Sequence, residues 1–297
     1  MRPEEIVARV WPGRRAVVEP LGGGITNRNF KVAFDGETYV VRIGGKDTDL
    51  LGIDRRVEHG ASLVAAELGV GPVVVAFLEA ESCLVTRFIE GREVPPTEMR
   101  RPETIRRAAA TLRLIHDGPP IPGRFDSFRV VEEYCVTATS RGVRLPADYA
   151  WAKALADEIE ATRDVQDAAP CHNDLLNANF IDDGERLRIV DWEYAGMGDR
   201  FFDLANFSIN HDFAPDENRE LLDGYLEVAA PADFAALAVM RFMSDFREAM
   251  WGVVQQGVSE LDFDFVAYAD EHFARLRRTA ADPTFREALR ELAGGVA

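Results

Sequence analysis

Cys171-His-Asn-Asp-Leu-Leu-Asn-Ala-Asn-Phe-Ile181, followed after a short turn by Arg188-Ile-Val-Asp-Trp-Glu-Tyr-Ala-Gly-Met-Gly-Asp-Arg-Phe-Phe-Asp203, is the stretch on which the reading of this chain rests. Its first half brings His172, Asn173 and Asp174 together and follows them with Asn179. Phe180 and Ile181 read as a strand, Asp183-Gly184 as a hairpin turn, and Leu187 to Val190 as the returning strand. That hairpin delivers Asp191 back beside Asn179.

An H-x-D loop, an Asn five positions after the Asp and a second Asp across a hairpin match the metal and base constellation of kinase-type phosphoryl transfer. An alcohol attacking the γ-phosphorus of ATP must lose its proton, so one carboxylate should face the hydroxyl, and Asp174 takes that role. The phosphate oxygens are bridged by Mg²⁺, a hard cation that wants oxygen ligands. Asn179 offers an amide oxygen and Asp191 a carboxylate. His172 reads as a residue that shapes the loop. A lone H-x-D or D-W-E is usually an ordinary turn or cap, whereas the ordered set with hairpin spacing is hard to obtain by chance.

The chain has 297 residues, 47% of them hydrophobic and 29% charged, enough for one large or two modest domains. No apolar run approaches the length of a membrane span, and the opening Met-Arg-Pro-Glu-Glu does not read as a signal peptide. Three cysteines, Cys83, Cys135 and Cys171, without metal-like spacing favour packing roles in a reducing, cytoplasmic setting. A net charge of -17 argues against nucleic acid and against anionic membrane surfaces. It suits a cationic small substrate, although acidic surfaces usually serve solubility.

Before the central stretch, Glu4 to Val10 reads as an amphipathic helix, and Ala16 to Pro20 and Asn29 to Phe34 as strands around L-G-G-G-I-T-N-R. Glycines there let backbone N–H groups approach phosphates, yet the loop is neither a Walker A nor a clean G-x-G-x-x-G, and alone it is equally a hairpin turn. Thr38 to Ile43 reads as a strand carrying Arg42 where protein kinases place a lysine, and a guanidinium fork suits phosphate oxygens. Ile53 to Leu68 reads as a helix ended by Gly69, with Glu58 either the partner that orients Arg42 or a solvated charge. Val73 to Leu78 and Ser82 to Phe88 read as paired strands, and Thr86 to Gly91 as a hinge. Glu103 to His116 is a core helix by its apolar spacing, and Trp151 to Thr162 a further helix. Asp203 is either an orienting group for the loop or a helix N-cap. The remaining chain reads as helical, with breaks near Pro215 and Pro231.

H-N-D-L-L-N-A-N-F-I followed by I-V-D-W-E-Y-A-G-M-G-D-R-F-F-D-L-A-N-F resembles the choline/ethanolamine kinases, a branch of the aminoglycoside-phosphotransferase-like enzymes, and their bacterial members above all. The resemblance implies an α+β, two-lobed protein-kinase-like fold: a small β-rich N-lobe over residues 1–88 and a larger, mostly helical C-lobe over residues 89–297. It implies ATP and Mg²⁺ as cofactors and a small cationic amino alcohol as substrate, choline first and ethanolamine second. It makes Gly23, Gly24, Thr26 and Asn27 the nucleotide loop, with Arg42 and Glu58 completing the nucleotide site. Glu193, where protein kinases have glycine, joins Asn179 and Asp191 as a metal ligand or faces the substrate ammonium.

In the C-terminal helices Trp251 and Tyr268 match positions that wall a trimethylammonium group, with Tyr194 beside them. A quaternary cation cannot donate a hydrogen bond, so aromatic faces and carboxylates should recognise it. Glu248 stands where eukaryotic relatives place a further tryptophan, which favours a less methylated amine. Taken without the resemblance, Trp251 and Tyr268 are core residues at helical spacing. No nucleic-acid or membrane-inserted partner is implied, and a homodimer is compatible. Other acceptors (thiamine, an aminoglycoside or a sugar) remain open, as does a non-catalytic nucleotide-binding module. A protein kinase fits less well, because Leu176 lies where those enzymes commonly carry lysine two positions after the base.

Overall fold

The structure is a computed structural model, and it describes residues 2–22, 27–163 and 168–295. Helix α1 (Pro3–Val10) precedes five strands, β1 (Val17–Leu21), β2 (Asn27–Phe34), β3 (Glu37–Gly44), β4 (Val74–Leu78) and β5 (Cys83–Arg87), with helix α2 (Arg55–Glu67) inserted between β3 and β4. The strands form one antiparallel sheet in the order β1-β2-β3-β5-β4.

Alternation decides what each face of this sheet does, because successive strand side chains point to opposite sides. Along β3, Tyr39, Val41 and Ile43 are buried with Cys83 and Val85 of β5, against Ile6 and Val7 of α1. The intervening residues, Val40 and Arg42 of β3 and Leu84 and Thr86 of β5, line a cavity on the other face.

Helix α2 starts where Asp54 caps it, its carboxylate accepting the backbone N–H groups of Arg56 at 2.8 Å and Val57 at 3.4 Å. Gly69, with φ +67°, takes the left-handed position after its C-terminal end, as the sequence suggested. Ala61 and Ala65 on its inner face, with Leu51 and Ile53 ahead of it, belong to the same buried cluster as the helices that follow. Tyr134 adds a hydroxyl hydrogen bond to the Leu51 carbonyl at 3.1 Å.

Beyond the sheet come β6 (Arg92–Glu93), α3 (Pro96–Met99), α4 (Pro102–His116), α5 (Ser127–Ser140) and α6 (Tyr149–Thr162). Four short strands follow, β7 (Ala169–Cys171), β8 (Phe180–Asp182), β9 (Leu187–Ile189) and β10 (Gly196–Gly198). The chain ends in α7 (Arg200–Asn210), α8 (Pro215–Tyr225), α9 (Pro231–Val258), α10 (Phe265–Ala281) and α11 (Pro283–Gly295). Pro215 and Pro231 mark helix starts, where a missing N–H costs nothing and the fixed φ suits the first turn.

Helix α9, 28 residues long, is buried on nearly all sides by α5, α7, α10 and α11. No helix among the described residues is long and apolar enough to cross a membrane. Helix α5 had no clear signature in the sequence, and α7 begins at Arg200 rather than at Asp203.

Candidate active site

The hairpin at the centre of the sequence is present: β8 and β9 pair antiparallel with Phe180 opposite Ile189, and Asp182 opposite Leu187. Gly184 supplies the positive φ of +92° that the turn needs. The Val190 N–H donates to the Asn179 carbonyl at 3.0 Å, which brings Asp191 and Asn179 side by side. Asn173 and Asp191 both sit in the left-handed region, with φ of +66° and +68°, a conformation that Asn and Asp tolerate better than other side chains. These two reversals bound the loop and the hairpin exit.

Asp203 holds the loop by its backbone. One carboxylate oxygen accepts the His172 N–H at 2.7 Å and the other accepts the Asn173 N–H at 2.6 Å. His116 adds a contact of 3.1 Å, and its other ring nitrogen meets the Tyr225 hydroxyl at 2.8 Å. Asp203 is fully buried inside α7, and Asp199 caps that helix instead by accepting the Phe201 N–H at 2.9 Å. The N-cap alternative for Asp203 therefore fails, and His116 is structural. Asn206, one turn further along α7, accepts the Leu175 N–H at 2.5 Å and so fixes the far side of Asp174.

His172 is threaded between the loop and the hairpin. Its Nε2 donates to the Val190 carbonyl at 2.9 Å while Nδ1 accepts the Asp174 N–H at 3.2 Å, which sets a neutral tautomer. Burial lowers its pKa, consistent with a shaping role and not with proton transfer.

Asn179 donates through Nδ2 to the Asp174 carbonyl at 2.8 Å, leaving its amide oxygen for another partner. Arg42 Nη2 reaches three carboxylates: it pairs closely with Asp191, lies 3.1 Å from Glu58 and lies 3.6 Å from Glu193. Glu58 is buried and is no solvated charge. Arg55, at the start of α2, joins it at 2.7 Å, reaches Glu193 at 3.1 Å and donates to the Asn27 side chain at 2.9 Å. Asn27 in turn donates to Glu193 at 2.9 Å.

Three carboxylates thus face two guanidinium groups. Burial pushes the Asp191 carboxyl up to about 7; Arg42 opposes that rise, while Glu193 and Glu58 add to it. A cluster short of one positive charge, with an amide oxygen and carboxylate oxygens side by side, fits a hard divalent cation.

Asp174 faces the helical side. Burial pushes its carboxyl up to about 8, opposed by Arg247 and reinforced by Glu248 and the carboxylates beyond. Arg247 Nη1 lies 3.5 Å from Asp174 Oδ1 and is also hydrogen bonded to Glu248. The Arg247 guanidinium stands 4.3 Å from the centre of the Tyr194 ring. Tyr194 accepts the Trp251 indole N–H at 2.9 Å, and Tyr268 donates to Glu248 at 2.8 Å. Trp251 and Tyr268 meet edge to face with centroids 5.4 Å apart.

A cavity of about 380 Å³ separates sheet and hairpin, lined by Val40, Arg42, Leu84 and Thr86 above, Asn179, Ile181 and Asp191 below, and Phe88, Ile89 and Gly91 at the connection. Its size suits a small-molecule ligand.

The structure therefore gathers Asn27, Arg42, Glu58, Asn179, Asp191 and Glu193 on one side of Asp174, and Tyr194, Glu248, Trp251 and Tyr268 on the other. Gly23, Gly24 and Thr26 lie outside the described residues. Arg55 and Arg247 were not singled out from the sequence. Arg55 had one available signal, its spacing of three residues from Glu58 on a helix face. Arg247 had another, an adjacent Arg-Glu pair in a largely apolar helix.

Comparisons with known proteins bear on the family and the fold. Residues 17–242 match the phosphotransferase enzyme family (APH). A choline/ethanolamine kinase family protein from Mesorhizobium loti superposes with a TM-score of 0.84 at 32% identity, over 98% of this chain and 99% of that one. Choline kinase LicA from Streptococcus pneumoniae shares the fold, with a TM-score of 0.80 at 24% identity over 94% and 97% of the two chains. Ethanolamine kinase 2 of Rattus norvegicus is 25% identical over 296 residues, covering 87% of this chain and 75% of the relative. A family match spanning most of the chain, on a two-lobed fold that unites loop, hairpin and cleft, makes this protein a member of the phosphotransferase enzyme family, similar within it to the choline/ethanolamine kinases.

Proposed function

We propose that the protein transfers the γ-phosphoryl group of ATP to the hydroxyl of a small amino alcohol of the choline and ethanolamine class. The observation that carries this reading is that Asn179 and Asp191 line one cavity while Asn179 is bonded to the backbone carbonyl of Asp174. The named relatives support the acceptor class, and Glu248 with the aromatic side chains of Trp251 and Tyr268 is a suitable surround for an ammonium group.

In this reading residues 1–88 form the lobe that covers the nucleotide and residues 89–297 carry the loop, the hairpin and the acceptor site, in a cytoplasmic enzyme. Asp174 receives the hydroxyl proton as the new O–P bond forms; the bond from the γ-phosphorus to the bridging oxygen breaks, and ADP leaves. A base whose pKa lies near neutrality is well placed for this step. Arg42, held by Glu58, contacts the nucleotide phosphates. Asn179 and Asp191, with Glu193 behind them, would hold Mg²⁺. When bound, that ion neutralises charge on the β- and γ-phosphoryl oxygens.

The test is coupled ADP release over a panel of choline, ethanolamine, thiamine, sugars and aminoglycosides, with and without Mg²⁺. Choline or ethanolamine should lead the panel, and turnover should require Mg²⁺. Asp174→Ala should abolish turnover while ATP affinity stays within about threefold, since Asp174 acts on the transition state and not on nucleotide binding. Near-native turnover by this variant would refute the assignment.

A further inference from the structure

Arg247 is the charge in the acceptor site that the amino-alcohol reading leaves without a task. Its side chain is only 1% exposed, and among the described residues Nη1 alone carries its hydrogen bonds, to Glu248 and Asp174. Among the described residues, Nε and Nη2 are buried without a partner. Those two nitrogens form the side-on edge of a guanidinium, the parallel pair of N–H donors that matches the two oxygens of a carboxylate. Leaving a buried donor unsatisfied is costly, and native proteins seldom do so away from functional sites.

Two further features point the same way. The guanidinium already stands over the Tyr194 ring, where a substrate cation would otherwise gain a cation–π contact. It also offsets the charge of Glu248, the carboxylate that would attract an ammonium group. A substrate that is only a cation meets a fixed positive charge here, whereas one with an added anionic group meets two unpaired N–H donors.

Resting on the phosphotransferase reading above, we infer that Arg247 determines acceptor specificity by binding a carboxylate, so that the acceptor is a zwitterionic hydroxy compound with an ammonium group towards Glu248 and Tyr268 and a carboxylate on the Nε–Nη2 edge of Arg247. The hydroxyl between them is presented to Asp174, 3.5 Å from Nη1 of the same guanidinium.

Matched pairs that differ only by a carboxylate test this: ethanolamine against L- and D-serine, and choline against N,N,N-trimethylserine. Each is assayed for phosphate transfer from ATP with the wild-type enzyme and with Arg247→Lys and Arg247→Met. The wild type should prefer a carboxylated member by about tenfold or more in kcat/KM, as expected for a charge-assisted bidentate contact. Arg247→Met should bring that ratio towards one, and Arg247→Lys should restore part of it.

Preference of the wild type for plain ethanolamine or choline would overturn the inference and leave the amino-alcohol kinase intact. An equal loss on both members of a pair in Arg247→Met would overturn it too, by reducing Arg247 to a support for Asp174. Transfer to neither member of either pair would remove both readings. The wild-type comparison needs no variant to fold.

Discussion

Replacing Asp203 by Asn separates a carboxylate that orients the loop from one that merely fills space. In the native chain its two oxygens take the His172 and Asn173 N–H groups at 2.7 and 2.6 Å, and His116 stands at 3.1 Å. An amide keeps the shape but offers one oxygen and one NH₂ group, so one of the two backbone donors then faces another donor. An unsatisfied buried donor costs about 1–3 kcal/mol, and downgrading the other bond from charged to neutral adds about 1 kcal/mol. The expected loss is therefore roughly 2–4 kcal/mol, or about 4–16 °C in Tm at about 2–4 °C per kcal/mol. The donors belong to the two residues immediately before Asp174, so the base should shift with them. A displacement near 1 Å can cost about a hundredfold in rate. Thermal unfolding and steady-state kinetics measure the two effects: kcat should fall at least about tenfold, with the KM for ATP changing far less. A variant that melts within about 1 °C of the native chain and turns over within about twofold of it would refute the reasoning.

Trp251→Ala should raise the KM of the acceptor far more than that of ATP, and equal changes in both would mean that Trp251 only packs the core. Arg55→Met should leave Glu193 and Glu58 under-compensated and destabilise the fold by about 3–5 kcal/mol in denaturant titrations, as removal of one member of a buried ion pair does; a change below about 1 kcal/mol would place the balance of charge elsewhere. His211 packs among Phe180, Phe207 and Phe213 and donates through Nδ1 to the Phe207 carbonyl at 2.7 Å; burial lowers its pKa to about 4 from the ordinary 6.5. Between those values the unfolded chain holds the extra proton, so this part of the stability is complete above pH 6.5 and is lost as pH falls towards 4. The increment amounts to about 3 kcal/mol, and His211→Gln should remove it from the stability-against-pH curve.

Much of the site was legible because its chemistry is local. Asp174, Asn179 and Asp191 lie within one short stretch, and a hairpin with Asp183-Gly184 at its turn leaves few ways to arrange them. The five strands of the sheet were equally readable from alternation and turn residues. What stayed hidden depends on contacts distant in sequence. Arg55 pairs with Glu58 on its own helix but enters the site through Glu193 and Asn27, and Arg247 pairs with Glu248 but enters it through Asp174 and Tyr194, so the helix alone does not show what either will face. Helix α5 escaped notice because Phe128, Val130 and Val131, two of them β-branched, blur a helical period. Asp203 was ambiguous for a related reason: a carboxylate near a helix start looks like a cap until Asp199 is seen to have that task.

Helix α2 has a further bearing on how such an enzyme can be controlled. In two-lobed phosphotransferases that are switched, the glutamate-bearing helix must be able to leave its arginine or lysine partner. Here Ala61 and Ala65 on that helix, and Leu51 and Ile53 just before it, are sunk in the core shared with the helical half of the molecule. Pulling them out would expose two large aliphatic side chains, at about 1.5–3 kcal/mol each, besides breaking the pair with Arg42. A displaced, idle position of the helix is thereby made scarce. Flux through the enzyme should then follow the supply of its two substrates and the amount of protein made, without a swing of this helix as a setting.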